Sequence, residues 1–574
     1  MTGPGSKLPS SAAGSREVLV VLAFTILGGL IRAWAPHHLG LVHFDEGIYA
    51  LAGLWPFSRG GLASLDPTLI PYAPPGFPCL VGLAYLALGI SDLAAILVSV
   101  LAGTLTIPAT AWLARRTFGA GAGAAAAALV ALSGFHIQFS RMALTDACFL
   151  LCWVFGLISG QRFLERPGPW TALALGASTG LAQLFKYNGW LIGGFVALAA
   201  IAGQLLDDQE RLKSKLMSIW GYGVLAAVVA ALIYWPWFRF VEAHGGYARL
   251  MAHHRSYLGG AGTWLEHLRT QVDQTAALSG GPLWVASGSI AAFLSAECVL
   301  GRHLLARRRG LGLLIAFAAV TAMLPHILWW IVSFWLPRGL AGQGASKRLL
   351  AVSWAGLSLA SPFYHPYARL WLPLLALGWV VVARYIVSEF SDDPGEASKA
   401  PVISPRKLCL QVSWFLVLFY FVIAPRGARV FFEGPGEGPR PLAATDSLRL
   451  AARLVLADLP QGTAGVRMLV RPSVTYYLGG RFPVQVEPGL ARLMQPGPVG
   501  FWALVDTIQL RQEGDMNDNA ARLLTRWELV KEYPTELNLP TLLDVDPGAA
   551  RGGSKEAARA PLWLLRPRTA GASP

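Results

Sequence analysis

From residue 17 to residue 424 the chain is a succession of apolar runs broken by short polar connections. Runs of about 18 to 25 residues suit a hydrocarbon core of roughly 30 Å. On that basis spans are expected at about 17–35, 91–113, 120–139, 147–161, 170–185, 188–206, 217–235, 281–300 and 311–335. Further apolar runs at about 349–364, 368–386 and 409–424 give twelve spans by simple counting. A half-span among them, such as 349–364, changes the parity, so about 11–13 transmembrane helices are expected. Phe77 to Gly89 is apolar but too short to span, and reads as an interfacial or re-entrant helix.

The polar connections alternate in character. Arg115/Arg116, Arg162/Arg166, Arg211/Lys213/Lys215 and Arg302/Arg307/Arg308/Arg309 fall in every second one. Basic loops stay in the cytoplasm, which places these clusters and the 1–16 tail (Lys7, Arg16) there. The connections 36–78, 140–146, Lys186-Tyr187 and 236–280 then face outward. The first apolar run ends in Arg32, Trp34 and a His-His pair rather than a small-residue cleavage site, so it reads as a retained span.

Past Pro425 the pattern changes. Residues 426–441 are rich in Gly, Pro and Arg and read as linker. A helix-like stretch at 447–459 precedes strand-like runs at 466–471, 501–508, 527–533 and 562–565, the pattern of a small α/β domain. The expected organisation is a cytoplasmic tail (1–16), an all-α polytopic membrane domain (17–425), a linker (426–445) and a soluble α/β domain (446–574). Twelve spans would return that domain to the cytoplasm; eleven or thirteen would leave it outside.

Composition excludes a soluble reading. Of 574 residues, 54% are hydrophobic and 14% charged, against the ~25% charged of soluble domains. Mean hydropathy is +0.47. A net charge of +14 and a pI near 9.7 suggest nucleic acid at first sight, but the basic residues lie in the topogenic clusters, so no nucleic-acid partner is expected. Five cysteines (Cys79, Cys148, Cys152, Cys298, Cys409) follow no metal or disulfide spacing.

Between residues 18 and 160 the carboxylates are Asp45, Glu46, Asp66, Asp92 and Asp146. Asp92, after Ser91, reads as a helix N-cap. Asp45 and Glu46 stand side by side outside the first span, between His43 and Tyr49; Asp146 shares an outward turn with Arg141. Ionisable groups at the hydrocarbon boundary are costly unless solvated or paired, which makes them functional candidates. Lys186, His253, His254 and Arg255 fall on the same outward side, with His365, Tyr367 and Arg369 as further candidates. Cations would hold an anionic phosphate while a carboxylate takes the proton of an attacking hydroxyl. The plainer reading has Asp45-Glu46 as a solvated pair, Arg141–Asp146 as a salt bridge, Lys186 snorkelling, and His253–Arg255 on lipid headgroups.

Taken in order, His43-Phe-Asp-Glu-Gly-Ile-Tyr49, Tyr72-Ala-Pro-Pro-Gly-Phe-Pro78, Phe139-Ser-Arg-Met-Ala-Leu-Thr-Asp146, Gly180-Leu-Ala-Gln-Leu-Phe-Lys186 and Ala252-His-His-Arg-Ser-Tyr257 resemble a known family. They are similar to the GT-C membrane glycosyltransferases of the protein O-mannosyltransferase and lipid A aminoarabinose transferase superfamily, over about residues 17–390. The resemblance implies an inverting transfer from a polyprenyl-phosphate-linked sugar at the outer face of the cell membrane, with a glycan, lipid or protein acceptor. It carries the general base to Asp45, with Glu46 beside it, and donor-phosphate contacts to Arg141, His253, His254 and Arg255. It also implies an outward C-terminal domain. His43, Tyr49, Tyr72, Asp146, His365, Tyr367 and Arg369 would support the site, with Lys186 on the donor phosphate.

Two departures narrow it. Ala73-Pro74 replace the acidic residue and lysine that precede a proline in the aminoarabinose transferases, so no cofactor is certain and a divalent metal finds no support in the motifs. The 236–280 loop is too short for the β-trefoil of eukaryotic protein mannosyltransferases. The competing classes are a polytopic transporter or lipid flippase, which should show inverted repeats, and a non-catalytic relative.

Overall fold

The apolar runs fold as helices: α1 (Ser11–Arg32), α2 (Phe44–Ala52), α3 (Gly76–Leu88), α4 (Asp92–Phe118), α5 (Ala122–Ala131), α6 (Gly134–Ser140), α7 (Asp146–Glu165), α8 (Pro169–Phe185), α9 (Leu191–Leu206), α10 (Leu212–Ala243), α11 (Gly246–Arg255), α12 (Trp264–Leu278), α13 (Pro282–Leu300), α14 (Ala345–Ala360) and α15 (Leu372–Ser388). The computed structural model describes residues 11–57, 74–206, 212–300, 344–388, 442–478, 483–551 and 558–568, with isolated positions between 315 and 339. The runs expected at 311–335 (isolated positions apart) and 409–424, and the linker at 426–441, lie outside the described residues. Among the described residues six segments are long and apolar enough to cross a membrane, and the bent pair α5–α6 makes a seventh. The chain is a many-pass membrane protein.

Burial separates inner from outer helices. α4, α7 and α15 form the interior, whereas α1 and α10 turn Val18, Leu19, Leu22, Leu30, Val224 and Leu232 outward. In water such faces would associate; in a bilayer they meet lipid tails. α10 departs from expectation. Its 32 residues pass through Pro236 into what read as a loop, and at 1.5 Å per residue it reaches about 48 Å, beyond the hydrocarbon core. The rest of 236–280 is largely helical too, as α11 and α12. Where α8 meets α10 the contact is built on small residues: a Cβ at Gly176 would lie 2.4 Å from the Ala226 carbonyl oxygen, and one at Gly180 2.9 Å from Ile233 Cβ.

α1 holds both ends of α5. The Glu17 Oε1 accepts from the Gly121, Gly123 and Ala124 amides at the start of α5. At its end Arg32 donates to the Val130 and Ala131 carbonyls and bonds His136 Nδ1 at 2.8 Å. An anion at the helix N-terminus and a cation at its C-terminus match the backbone dipole and satisfy groups that water cannot reach. Ser133 then caps α6, which leaves at 60° to α5.

The C-terminal domain is a five-stranded sheet in the order β2-β1-β3-β5-β4, with β1 (Gly465–Leu469), β2 (Val484–Val486), β3 (Phe501–Asp506), β4 (Trp527–Tyr533) and β5 (Leu562–Pro567). β2, β1 and β3 run parallel, and β5 is antiparallel to β3 and β4. Side chains alternate as a sheet covered on both faces requires: Val466, Met468 and Leu504 pack to one side, Leu469, Ala503 and Val505 to the other. The four expected strand runs are present; the three-residue β2 was not expected. Helix α16 (Ser447–Asp458) follows the sequence pattern, and α17 (Pro472–Leu478) leaves the end of β1.

Open α/β sheets usually take ligands beyond the carboxyl ends of their parallel strands. Here that position is filled by the chain's own 42–47 segment. Arg471, paired with Asp506 at 2.5 Å, donates to the Val42 carbonyl, and Ser473 Oγ donates to the His43 carbonyl at 2.7 Å. The expected role of Asp92 is corrected in part: the N-cap is Ser91, whose Oγ accepts from the Ala94 amide, while Asp92 Oδ1 accepts from the Leu93 amide at 2.8 Å and its Oδ2 from Arg449 Nη1 and Tyr477 Oη, both at 2.9 Å. A cap signal and a docking carboxylate one residue apart look alike in sequence. Gly47 lies so close to α17 that a Cβ there would fall 2.0 Å from the Ser473 amide nitrogen. Gly47→Ala is therefore expected to cost about 2–3 kcal/mol through overpacking, read as a lower melting temperature and faster proteolytic release of the soluble domain. Unchanged melting and cleavage would contradict this docking.

Candidate active site

The turn into α2 sets the site. His43 is the N-cap: its Nδ1 accepts from the Asp45 amide at 3.0 Å, so the ring proton is assigned to Nε2. Glu46, three residues on, completes a capping box. Its Oε2 accepts from the Val42 and His43 amides, each at 2.8 Å, and its Oε1 from the Ala143 amide at 2.7 Å. Fully buried and committed to three backbone donors, Glu46 ties the α2 turn to the turn before α7. Asp45 points the other way. Its side chain is 24% exposed, and its Oδ2 accepts from Arg369 Nη1 at 2.5 Å. Among the described residues its Oδ1 accepts no hydrogen bond.

Arg369 sits in the turn Ala368–Trp371 that leads into α15, with its guanidinium 5.0 Å from the centre of the Tyr367 ring. It faces a second carboxylate, Asp544, whose Oδ2 lies 3.4 Å from Arg369 Nε and 3.0 Å from His43 Nε2. Asp544 belongs to α18 (Leu539–Val545), a helix of the soluble domain that packs on α12. Lys186, whose charge reaches Asp45, ends α8 and pairs with Asp146 Oδ1 at 2.5 Å. Tyr49, packed edge-on against Phe77, lies within the electrostatic reach of Asp45.

An aromatic cluster lies beside these charges. Residues 257–259 run antiparallel to 363–365: the His365 amide donates to the Tyr257 carbonyl, and the Gly259 amide to the Phe363 carbonyl. This brings Tyr257 to 5.8 Å from Tyr364 and 5.9 Å from Tyr367, ring centre to ring centre. His254 Nδ1 bonds Tyr364 Oη at 3.0 Å, and its ring sits 5.9 Å from Tyr187. His253 stacks edge-on with Tyr257, and the His365 ring lies 4.5 Å from Tyr367.

Of the residues singled out in the sequence, Asp45, His43, Tyr49, Asp146, Lys186, His253, His254, His365, Tyr367 and Arg369 come together here. Arg255 is exposed at the end of α11, and Tyr72 lies outside the described residues. Arg141 stands apart. It is 3% exposed and spends Nη1 on the Ile31, Arg32 and Trp34 carbonyls, closing the C-terminus of α1. The salt bridge weighed for Arg141 and Asp146 is replaced by Lys186–Asp146. Asp544 was missed because it lies about five hundred positions from His43, in a Leu-rich run without motif character.

The whole cluster lies at the end of the bundle opposite the Glu17–Arg115 and Arg116–Glu165 pairs. Burial works to raise the Asp45 carboxyl, but the Arg369 charge, the His43 ring, the Arg369 hydrogen bond and the more distant Lys186 outweigh it and hold the carboxyl below its ordinary value. A base so held stays ionised into mildly acidic solution, and its activity falls as pH drops through its own pKa. Arg369→Gln removes the main depressing charge, so the acid limb of the pH–activity profile is expected to move to higher pH. An acid limb that stays in place or moves down in that variant contradicts the assignment. Among the described residues no group of three or more His, Cys, Asp or Glu side chains is disposed to hold a metal ion, and Asp45, Asp544 and Asp146 are engaged with Arg369, His43 and Lys186.

Residues 72–235 match the family model described as dolichyl-phosphate-mannose-protein mannosyltransferase. No curated protein is matched by sequence. Among solved structures, ArnT from Cupriavidus metallidurans in the apo state superposes with a TM-score of 0.53 at 15% identity, over 96% of this chain and 98% of that chain. The same protein bound to undecaprenyl phosphate gives 0.54 at 15% identity, over the same shares. The archaeal oligosaccharyltransferase AglB from Archaeoglobus fulgidus, in complex with an inhibitory peptide and a dolichol-phosphate, gives 0.51 at 12% identity, over 88% of this chain and 70% of that one. The chain has the GT-C fold of these proteins.

Proposed function

We propose that this GT-C-fold chain is a membrane glycosyltransferase that moves a sugar from a polyprenyl-phosphate donor to an acceptor hydroxyl or phosphate at the extracytoplasmic face. The observation that carries this is the disposition of Asp45: one oxygen is held by Arg369, the other has no hydrogen-bond partner among the described residues, and the Lys186 charge is near enough to act on the carboxylate. A hydroxyl is a poor nucleophile at neutral pH and needs such a base in contact with it.

For a hydroxyl acceptor, its proton passes to Asp45 Oδ1 as its oxygen bonds the anomeric carbon from the face opposite the phosphate. The anomeric carbon–oxygen bond breaks, its electron pair stays on the phosphate oxygen, and polyprenyl phosphate departs with the configuration inverted. Lys186 and the His253–His254 pair supply cationic or N–H contacts for the charge that develops on that phosphate. Glu46 shapes the turn that presents Asp45. The matched family model and the two superposed structures that carry a polyprenyl-type phosphate support the donor class. The side of the membrane is supported by the basic residues Arg115, Arg116, Arg162 and Arg166 at the opposite end of α4 and α7. The soluble unit 446–574, which docks at the site end, would then be extracytoplasmic as well.

The test is a transfer assay with purified protein in liposomes, a radiolabelled polyprenyl-phosphate sugar and a membrane extract as acceptor source. Release of polyprenyl phosphate with label in the acceptor fraction is expected. Neither donor binding nor release would remove the transferase reading. Glycan profiling of a deletion strain identifies the acceptor class.

A further inference from the structure

Asp544 reaches the base by two routes. Through Arg369 it reaches the Asp45 carboxylate: Asp544 Oδ2 lies 3.4 Å from Nε, and Nη1 lies 2.5 Å from Asp45 Oδ2. Through His43 it reaches the Asp45 backbone: Oδ2 bonds Nε2 at 3.0 Å, and Nδ1 accepts from the Asp45 amide at 3.0 Å. The Asp544 side chain is 5% exposed, and its Oδ1 is buried with no partner among the described residues. A buried carboxylate with an unsatisfied oxygen is costly, and packing alone would be served better by an apolar residue like its neighbours Leu542 and Leu543. The cost points to a role beyond packing.

An arginine facing a lone carboxylate prefers to grip both oxygens with two parallel N–H bonds. Gripped that way, both Asp45 oxygens would be engaged, and each would keep only its outer lone pair for a hydroxyl proton. With Asp544 Oδ2 3.4 Å from Nε, the guanidinium is shared between two carboxylates and meets Asp45 through one nitrogen and one oxygen. We propose that Asp544 is a positioning residue for Asp45: it holds Arg369 in the one-point contact that leaves Oδ1 open, so that the soluble domain supplies part of the active site. This rests on the reading of Asp45 as the base.

The test compares full-length Asp544→Ala, Asp544→Asn and Asp544→Glu in the polyprenyl-phosphate sugar transfer assay. A misplacement of about 1 Å at a reacting group costs on the order of 10²-fold. Asp544→Ala is therefore expected to lower kcat about 10- to 100-fold with the donor KM within about threefold of wild type. Asp544→Glu should recover part of the loss. Asp544→Asn, which keeps the shape should the alanine variant not fold, should fall between them. Because Asp544 acts through Arg369, adding Asp544→Ala to Arg369→Gln should cost little more. A wild-type kcat in a folded Asp544→Ala or Asp544→Asn protein overturns the proposal. So does an equal loss in the Arg369→Gln background, or a loss confined to KM. Asp45→Asn separates the two levels: if that variant turns over normally, the base assignment itself has failed; if it is inactive while Asp544→Ala is fully active, only the role of Asp544 has.

Discussion

Asp45→Asn is expected to lower sugar transfer by about 10²–10⁴-fold, the range for loss of a positioned general base, while donor binding and melting temperature stay near wild type. Asparagine keeps the shape and still offers an oxygen to Arg369 Nη1, so the turn at the start of α2 has no reason to move. What disappears is the capacity to take a proton. Single-turnover transfer from a labelled donor, alongside equilibrium binding of the same donor, reads the two effects apart. If the carboxylate were only one half of an ion pair with Arg369, the asparagine variant would lose some stability and keep its turnover, and the base assignment would fall.

The neighbouring carboxylate should behave in the opposite way. Glu46→Ala strands three buried amides, those of Val42, His43 and Ala143. At about 1–3 kcal/mol for each unsatisfied buried group, the loss is about 3 kcal/mol or more. Polytopic proteins in detergent commonly unfold irreversibly, so the measurement is the half-life at a fixed temperature and the apparent melting point. Both should fall well below those of Asp45→Asn. Any activity that remains should scale with the folded fraction. A Glu46→Ala protein that is as long-lived as wild type but inactive would assign this residue to the chemistry instead.

These two residues show what the sequence makes legible. The Asp-Glu pair stands out by its place beyond the first span, in a stretch, residues 18–160, with only three other acids. Which carboxylate does which task is not visible in the residues themselves, where only the family resemblance points to Asp45 as base, because it depends on where Ala143 and Arg369 sit in space. The same limit applies to Arg141 and Lys186. Both are outward cations beside an aspartate, but Arg141 meets the free carbonyls at the end of α1, and Lys186 is the one that reaches Asp146. Six crossing helices among the described residues follow from apolar run length, whereas α8, α9 and α14, also expected as spans, have only 17, 16 and 16 residues; the strands of the soluble domain follow from alternation. The long α10 and the helical 236–280 connection do not, since Pro236 and the polar residues after it carry a loop signal that tertiary packing overrides. Asp544 has no local signature at all.

The order in which the site residues lie along the chain also has a consequence for biogenesis. His43 and Asp45 leave the ribosome among the first residues, Arg369 follows after most of the helices, and Asp544 comes well after that. Until α18 has been made and has reached α12, the Arg369 guanidinium faces Asp45 without its counterweight. A chain still threading through the insertion machinery would then keep both Asp45 oxygens on Arg369, and the proposed transfer activity would begin only once the last domain had folded against the membrane face. Catalytic competence would therefore double as a report that assembly is finished.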